Sequence, residues 1–366
     1  MIGLLEIRRR KLQFALITLI VTLISYLVLM INGLGVGLNE SAGSALRNFD
    51  ASAIAYSDRA GISVIRSELS QGQVDSIAAV PGVTESAPLG YLAVNYESSE
   101  GEIDSAAVLG FDPGTIAEPA VIDGSSLTEN DTNGLLADTL FLKASGLSVG
   151  DDVVVSLRLT EETFTILGEI DQGSFFFQPA IYILRSTWQE LKYGDQPNGP
   201  VASIVLLQGD DLVGVAEDGF EIVDKTTAFD NIEGVSGQQS TIVSLRVFGY
   251  LIGAMVIGVF FYVLTLQKVP QIGVLKAIGA SNGFVFLQIL VQVIALSAIG
   301  LLISVPLAWL TNRGLQRLPE AVPISFTTNT YVTTCTALLI TAIVGALFSG
   351  RQVIKTDPII ALGQQQ

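Results

Sequence analysis

Long apolar runs separated by polar stretches organise this sequence. Four of these runs are long enough for a helix that crosses a bilayer, which takes about 20 predominantly apolar residues. They cover approximately Leu12–Leu34, Ile242–Leu266, Phe284–Leu310 and Tyr331–Leu347. A largely polar stretch of about 200 residues separates the first two runs and is too long for a structureless loop. The pattern therefore predicts four transmembrane helices, with a folded domain inserted after the first.

The inserted stretch alternates between strand-like and helix-like segments. Strands are predicted where apolar, β-branched and aromatic residues cluster, at Ser52–Tyr56, Thr84–Asn95, Ala106–Gly110, Val121–Ile122, Val153–Leu159, Thr163–Gly168, Ala180–Leu184, Ala202–Leu207 and Phe220–Val223. Helices are predicted at Ser67–Val80, Asp138–Ser145 and Ser186–Lys192. Pro88 is expected to interrupt its strand, because proline cannot donate to a sheet ladder. The predicted fold class is a membrane α-helical protein with four transmembrane helices and an inserted extracytoplasmic α+β domain.

The distribution of charge supports this division. The chain has 366 residues and a net charge of −16. Residues 35–240 hold 32 acidic and 8 basic side chains, a net charge of −24, whereas the rest of the chain holds 3 acidic and 11 basic side chains, a net charge of +8. The acidic block is typical of a water-facing domain and argues against nucleic acid as a partner, since phosphate binding needs a basic surface.

Basic residues near the apolar runs predict the topology. Arginines at 8, 9 and 10 with Lys11 place the N-terminus in the cytoplasm by the positive-inside rule, and Lys268 and Lys276 place the loop after the second span there too. Arg313 and Arg317 argue against this topology, whereas Arg351 and Lys355 support it. A cleaved signal peptide is the alternative for the N-terminal run, but that run exceeds the usual 7–15 apolar residues.

These patterns together predict a multi-pass membrane protein with both termini in the cytoplasm. Its segments are 1–11, the cytoplasmic N-terminus; 12–49, the first transmembrane helix with an outward extension; 50–238, the outer domain; 239–266, the second transmembrane helix; 267–283, a short cytoplasmic helix; 284–310, the third transmembrane helix; 311–330, an outer loop; 331–350, the fourth transmembrane helix; and 351–366, a cytoplasmic tail.

Residue types and motifs argue against catalysis by this chain. It has no histidine and one cysteine, Cys335, so a histidine-based metal site and an intrachain disulfide are both excluded. No G-x-x-x-x-G-K-[ST] phosphate loop and no G-x-S-x-G nucleophile motif is present. Paired acids such as Asp151-Asp152 are interpreted as solvated surface groups. The chain is therefore predicted not to be an enzyme and to have no intrinsic cofactor.

The segment Gln267–Gly283, QKVPQIGVLKAIGASNG, has a pattern of its own. Pro270 is expected to end the second span, because proline cannot continue the helical hydrogen bonding. Ile272, Leu275 and Ile278 then recur every three residues, which predicts one apolar stripe on a short helix. Such a helix fits either a docking element for a partner protein or an amphipathic turn resting on lipid headgroups.

The run from Gln271 to Ser281, QIGVLKAIGAS, resembles the E/Q-I-G-[IV]-L-K/R-A-[IL]-G-A signature of FtsX-like permeases, the membrane subunits of MacB-type (type VII) ABC transporters. The resemblance covers the whole chain and includes the G-L-S-V-G-D turn at 146–151 and the tail Lys355–Leu362. It implies a separate cytoplasmic ABC ATPase that holds ATP and Mg, a permease homodimer within membrane lipids, and a coupling helix seated in the ATPase. The coupling residues implied are Gln271, Ile272, Gly273, Leu275, Lys276, Ile278 and Gly279.

Within this family, the stretch Phe261–Gly279 and the first span are most similar to heme-exporter permeases of the HrtB type, which share Gln271 where glutamate is commoner. The resemblance implies heme as a cargo, with an iron ligand from Met, Tyr or a carboxylate because histidine is absent. The candidate substrate-binding residues at the outer ends of the first two spans are Met30, Glu40, Asp50, Arg246 and Tyr250, of which Met30, Asp50 and Tyr250 are the candidates for the iron.

Simpler interpretations of these five residues stay open. Met30 lies about 28 Å along a helix from Lys11 and equally fits a lipid-facing position. Arg246 and Tyr250, four residues apart, share a helix face, but arginine also snorkels and tyrosine also populates the aromatic belt. The same architecture also fits a permease that transmits force to lipoproteins or peptides, or an envelope regulator that transports nothing.

Overall fold

The computed structural model describes residues 11–157, 160–194, 196, 199–217, 219–317 and 322–355. The basic residues before Lys11 and the tail from 356 onward, both used in the predictions above, lie outside the described residues. The chain divides into two units, one of Met1–Gly37 with Gln239–Gln366 and one of Leu38–Gln238. We call them the helical unit and the outer unit.

Nine helices and twelve strands are formed by the described residues. In chain order they are α1 Lys11–Asn48, β1 Ala53–Ser57, α2 Gln71–Ala78, β2 Val83–Glu97, β3 Ile103–Phe111, β4 Val121–Gly124, β5 Gly134–Asp138, α3 Thr139–Ser145, β6 Asp152–Leu157, β7 Thr160–Ile170, β8 Ser174–Phe175, β9 Gln178–Leu184, α4 Arg185–Tyr193, β10 Ile204–Gly209, β11 Ala216–Glu217, β12 Phe220–Asp224, α5 Lys225–Asp230, α6 Val235–Gln267, α7 Val269–Ala277, α8 Asn282–Leu315 and α9 Thr328–Lys355.

The four long helices α1, α6, α8 and α9 each contain a stretch that is long and apolar enough to cross a membrane. Their apolar side chains cover most of each helix surface, as expected where lipid replaces water as the solvent. Small residues set the closest approaches between them. A Cβ on Gly345 of α9 would lie 2.6 Å from the carbonyl oxygen of Ala254 on α6, and a Cβ on Gly300 of α8 would lie 2.8 Å from Cγ1 of Val21 on α1. Glycine at such crossings lets the helix backbones touch.

Three glycines near the C-terminal end of the first span, Gly33, Gly35 and Gly37, serve the same purpose. The helix α1 continues through all three of them. A Cβ on Gly35 would lie 2.6 Å from Nη2 of Arg246, and one on Gly37 would overlap the carbonyl group of Pro323. Close approach is therefore their structural role.

The outer unit is built on one mixed sheet, as the predicted α+β class requires. The strand order is β11-β12-β1-β10-β2-β3-β9-β5-β7-β4, and β6 pairs with both β2 and β7. The β3–β9 and β5–β7 ladders are parallel and the others are antiparallel. Short helices cover the sheet, and the fully buried indole of Trp188 anchors α4 against Gly90 and Gly110, which face each other on β2 and β3.

One expectation for the outer unit was wrong, and one strand was missed. β2 runs without interruption through Pro88, which pairs with Val205 of β10. The ladder of β2 with β3 begins only at Gly90, so Pro88 occupies a local edge where a missing N–H is tolerated. The strand β5 was not predicted, because its sequence GLLAD is short and only the neighbouring β7 and β9 make it a strand.

Within the outer unit, α1 bends at Gly43, where φ is −175° and ψ is 41°. A bend releases backbone carbonyls from their helical partners. The amides of Phe176 and Phe177 donate to the carbonyls of Ala42 and Ser41 at 2.9 and 2.8 Å. These contacts hold the loop between β7 and β9 against the end of α1.

The carboxylate of Asp138 holds the other side of this loop. It is fully buried and accepts from the amides of Gln172 and Gly173, and from Leu140 as the N-cap of α3. Burial raises the pKa of Asp138 to about 6, although the three amide donors favour the charged form.

Candidate functional site

The junction between α6 and α7 is one residue long. α6 ends at Gln267, and Lys268 adopts an almost helical conformation before α7 starts at Val269. Pro270 lies in the first turn of α7, where the absent N–H breaks no hydrogen bond. The break therefore falls where the sequence predicted it, and the amide of Ile272 donates to the Lys268 carbonyl at 2.8 Å to begin the new helix.

The end of α7 is fixed by a tight turn. The amides of Gly279 and Ala280 donate to the carbonyls of Lys276 and Leu275 at 3.0 and 2.9 Å. Gly279 has a φ of 100°, which glycine adopts without strain. Ser281 then caps α8 by accepting from the amide of Phe284 at 3.2 Å. α7 is therefore a short helix held at both ends by ordered backbone.

The single apolar stripe predicted for α7 is not observed. Ile272 is 4% exposed and packs in the interior of the helical unit, whereas Ile278 is 77% exposed. Leu275 is half-buried between them. Steps of three residues turn back about 60° each on a helix of 3.6 residues per turn, so six residues separate the side chains by about 120°. Ile278 also follows the last helical residue, Ala277.

The remaining predicted coupling residues divide between these two environments. Gly273 is buried beside Ile272, and Lys276 is half-buried. Gln271 and Gly279 are exposed, as is Val274, which the prediction had omitted. One side of α7 is thus a packing surface and the other is an open surface of mainly apolar character.

Polar side chains tie the junction to two other helices. Nε2 of Gln13 on α1 donates to Oε1 of Gln267 at 2.9 Å. Nζ of Lys268 donates to Oε1 of Gln292 on α8 at 3.2 Å. Both contacts lie within one residue of the point where α6 gives way to α7. A displacement of α7 would therefore act on α1 and α8 as well as on α6.

A second polar group lies between α1, α6 and α9. Nδ2 of Asn32 donates to the hydroxyl of Tyr250 at 3.3 Å and to the hydroxyl of Thr334 at 3.0 Å. The guanidinium of Arg246 lies against Gly35, one turn further along α1. Arg246 and Tyr250 therefore share the face of α6 that meets α1, as their spacing predicted. The Nε of Arg246 is buried and has no hydrogen-bond partner among the described residues.

Of the other three candidates, Met30 belongs to the helical unit. It is half-buried on α1 and lies two positions before Asn32, which places it about 200° away around the helix. Glu40 and Asp50 are exposed and belong to the outer unit. Within the helical unit, the structure thus joins Arg246 and Tyr250 and leaves Met30 on a different face.

Three polar residues of interest were missed by the sequence analysis. Asn32 and Gln292 lie inside apolar runs, where a single amide in the sequence gives no indication of its partner. Glu233 lies between α5 and α6; Ser63 donates to its Oε1, and its Oε2 is buried without a partner among the described residues. An isolated polar residue in a transmembrane run is expected to face the protein interior, and this was the available signal for Asn32 and Gln292.

Comparisons with known proteins agree with this architecture. Residues 243–358, which include α6 to α9, match the family described as FtsX-like permease C-terminal. The chain is 26% identical to a Staphylococcus haemolyticus protein named "Putative hemin transport system permease protein HrtB", over 98% of this chain and 97% of that protein. It is 23% identical to an uncharacterized ABC transporter permease of Mycobacterium bovis, over 97% of this chain and 96% of that one.

Among solved structures, the periplasmic region of MacB from Actinobacillus actinomycetemcomitans is similar to 51% of this chain and 94% of its own, at 16% identity and a TM-score of 0.36.

The four spans and the sequence relatives named as permeases define the class of protein: a multi-pass membrane permease subunit of an ABC transporter, which is non-catalytic and works with a partner ATPase. Within that class, residues 243–358 of the chain match the FtsX-like permease family.

Proposed function

We propose that this permease exports heme or a similar amphipathic compound, with energy from a separate ATPase. The observation that carries the proposal is the similarity, over nearly the full length of both chains, to a permease named for hemin transport. The M. bovis relative, named only as an ABC transporter permease, supports the broader class without the cargo.

In this proposal α7 is the docking element for the ATPase. Its exposed side presents Val274 and Ile278, which are 48% and 77% exposed. Apolar side chains of this size at the end of a helix fit a groove on a partner protein. Burial of Ile272 on the opposite side joins α7 to the helical unit, so the ATPase would move the spans through it.

The cargo contact is proposed at Arg246 and Tyr250. A guanidinium is suited to a carboxylate such as a heme propionate. A phenol oxygen can contact iron or a ring edge, and the Tyr250 oxygen already accepts one hydrogen bond from Asn32. Met30, Glu40 and Asp50 remain predictions for further contacts, from another face of α1 and from the outer unit.

The assembly in this proposal is a permease homodimer in a bacterial plasma membrane, with both termini in the cytoplasm and the outer unit outside. ATP and Mg belong to the ATPase subunit, and heme is cargo rather than a resident cofactor. ATP binding and hydrolysis would shift the dimer between conformations with different affinities for the cargo.

A titration of purified full-length permease with hemin, followed by visible absorption, tests the cargo. We expect a saturable spectral change, weakened about tenfold in Arg246→Met by loss of a charge-assisted hydrogen bond. Tyr250→Phe should alter the spectrum if the phenol contacts iron. Tyr262→Phe is the control, since this tyrosine lies on the same helix and is 41% exposed.

The absence of any saturable spectral change would eliminate heme as the cargo. If the permease still bound its ATPase in that case, the alternative of force transmission to lipoproteins or peptides would take its place. Loss of ATPase binding as well would point to a regulator that transports nothing.

A further inference from the structure

A buried amide of α8 makes a contact that the proposed function does not use. Gln292 is 5% exposed, and its Oε1 accepts from the Nζ of Lys268 at 3.2 Å. Its Nε2 is buried and has no hydrogen-bond partner among the described residues. The side chain therefore reaches the α6–α7 junction from another helix through one of its two polar atoms.

The surroundings of Gln292 are otherwise apolar. Its neighbours on α8, Ile289, Val293 and Leu296, are buried in the same apolar cluster as Ile272 of α7. An amide group in such a place loses its hydration, and the unpaired Nε2 adds to this cost. A leucine at this position would fill a similar space without this desolvation cost. The contact with Lys268 is the compensating interaction that the structure provides.

The position of Lys268 allows its contact with Gln292 to influence the orientation of α7. It alone separates α6 from α7, and its carbonyl accepts the first hydrogen bond of α7. Gln292 lies ten residues after the start of α8, or about 15 Å along the helix. A fixed ammonium at this point restricts the direction in which α7 leaves α6, independently of the turn at its other end.

We propose that Gln292 is a positioning residue, which orients α7 by holding Lys268 and joins the movement of α7 to that of α8. The mechanical part of this inference rests on α7 being the ATPase docking element, whereas the orientation of α7 can be measured without the ATPase. In this proposal Gln292 acts through Lys268 and is not one of the residues proposed to contact the cargo.

Spin-label spectroscopy of the full-length permease tests the orientation. The label is placed by Ile278→Cys, at an exposed position, in a Cys335→Ser background. We expect Gln292→Leu to shift the equilibrium between held and released α7 about tenfold toward release, the effect of one charge-assisted hydrogen bond. The label should then become more mobile. Gln292→Glu, which retains an acceptor for Lys268, should keep the label as in the parent protein.

Two further variants separate positioning from a packing effect. Gln288→Leu, one turn earlier on α8 and half-buried, is the matched control and should leave the label unchanged. Lys268→Met should reproduce Gln292→Leu, and the double variant should be no more mobile than either single one. Equal mobility in Gln292→Leu and Gln288→Leu, or additive effects in the double variant, would overturn the proposal.

The ATPase subunit supplies a second, separate readout. With the parent permease, binding should stimulate ATP hydrolysis, and Gln292→Leu should reduce that stimulation while Gln292→Glu retains it. If the ATPase binds no version of the permease, the docking role of α7 fails, but the label mobilities still decide whether Gln292 orients α7.

Discussion

The contact between Trp188 and the two glycines beneath it allows a sharp test of the packing in the outer unit. A Cβ added at Gly90 would overlap Cδ2 and Cε2 of the indole and lie 2.5 Å from its Cε3. A Cβ added at Gly110 would lie 2.5 Å from the Cβ of Trp188. The indole is fully buried, so it cannot move toward solvent to make room. Gly90→Ala must therefore displace the ring or the strand.

The overlap between the added Cβ and the indole ring sets the expected loss of stability in Gly90→Ala. Overpacking by one methyl group usually lowers the free energy of unfolding by about 1–3 kcal/mol. We expect Gly90→Ala to lower it by about 3 kcal/mol, because the indole ring is rigid and buried. Gly72→Ala is the matched control in the same unit, since nothing lies within 4 Å of its added Cβ. That substitution lies in α2 and should stabilise by roughly 0.5–1 kcal/mol through helix preference. The two alanines should thus change stability in opposite directions.

Denaturant unfolding of the full-length permease in detergent measures the difference. Loss of far-UV circular dichroism reports unfolding in every variant, because this signal does not depend on Trp188, which two of the variants lack. The double variant Gly90→Ala with Trp188→Phe should lose less than the sum of the two single changes, because the smaller ring relieves the overlap. The reasoning is refuted if Gly90→Ala unfolds at the same denaturant concentration as Gly72→Ala, or if Trp188→Phe gives no relief.

Three other predictions follow from the two units. Gly345→Ala should lower the free energy of unfolding of the helical unit by about 1–3 kcal/mol, because the added Cβ would lie 2.6 Å from the Ala254 carbonyl oxygen. The control Gly314→Ala has open space around the added Cβ and should leave stability unchanged. Thermal melting in detergent compares the two variants. Ile278→Asp, at an exposed end of α7, should reduce co-purification of the ATPase without lowering the melting temperature. Asp138→Asn tests a pH effect: burial raises the pKa of Asp138 from 3.8 to about 6, so the folded state favours the proton and the free energy of unfolding falls as pH rises between these values. In Asp138→Asn, the free energy of unfolding should lack the fall with pH that is due to Asp138. Denaturant unfolding of the variant and the parent protein at pH 4, 5 and 6 measures this difference.

Local signals were sufficient for several elements. A helix was predicted at Asp138–Ser145, and the structure has α3 at Thr139–Ser145, capped by Asp138 and ended by Gly146 at a φ of 69°. The four spans followed from length and hydrophobicity, since a lipid environment forces backbone groups to pair within the helix. The break near Pro270 followed from proline chemistry. Each of these features depends on residues that are neighbours in the chain.

Other features depend on partners far away in the chain. Pro88 lies within a continuous strand because β10 supplies its ladder from more than 100 residues later. The side of α7 that is covered, which carries Ile272, is set by the position of the other helices. Asn32 meets Thr334 across 302 positions, and Lys268 meets Gln292 across 24.

The sequence by itself determined four spans, an acidic inserted domain, the short helix after the second span and the resemblance of this helix to the signature of FtsX-like permeases. Those properties depend on composition and on local hydrogen bonding, which a linear pattern records. Only the tertiary structure decided which side of α7 is open, that Arg246 and Tyr250 lie against the face of α1 that carries Asn32 while Met30 lies on another face of that helix, and that Gln292 contacts Lys268. These depend on the rotation and approach of separate helices, which side-chain packing sets and which no single segment encodes.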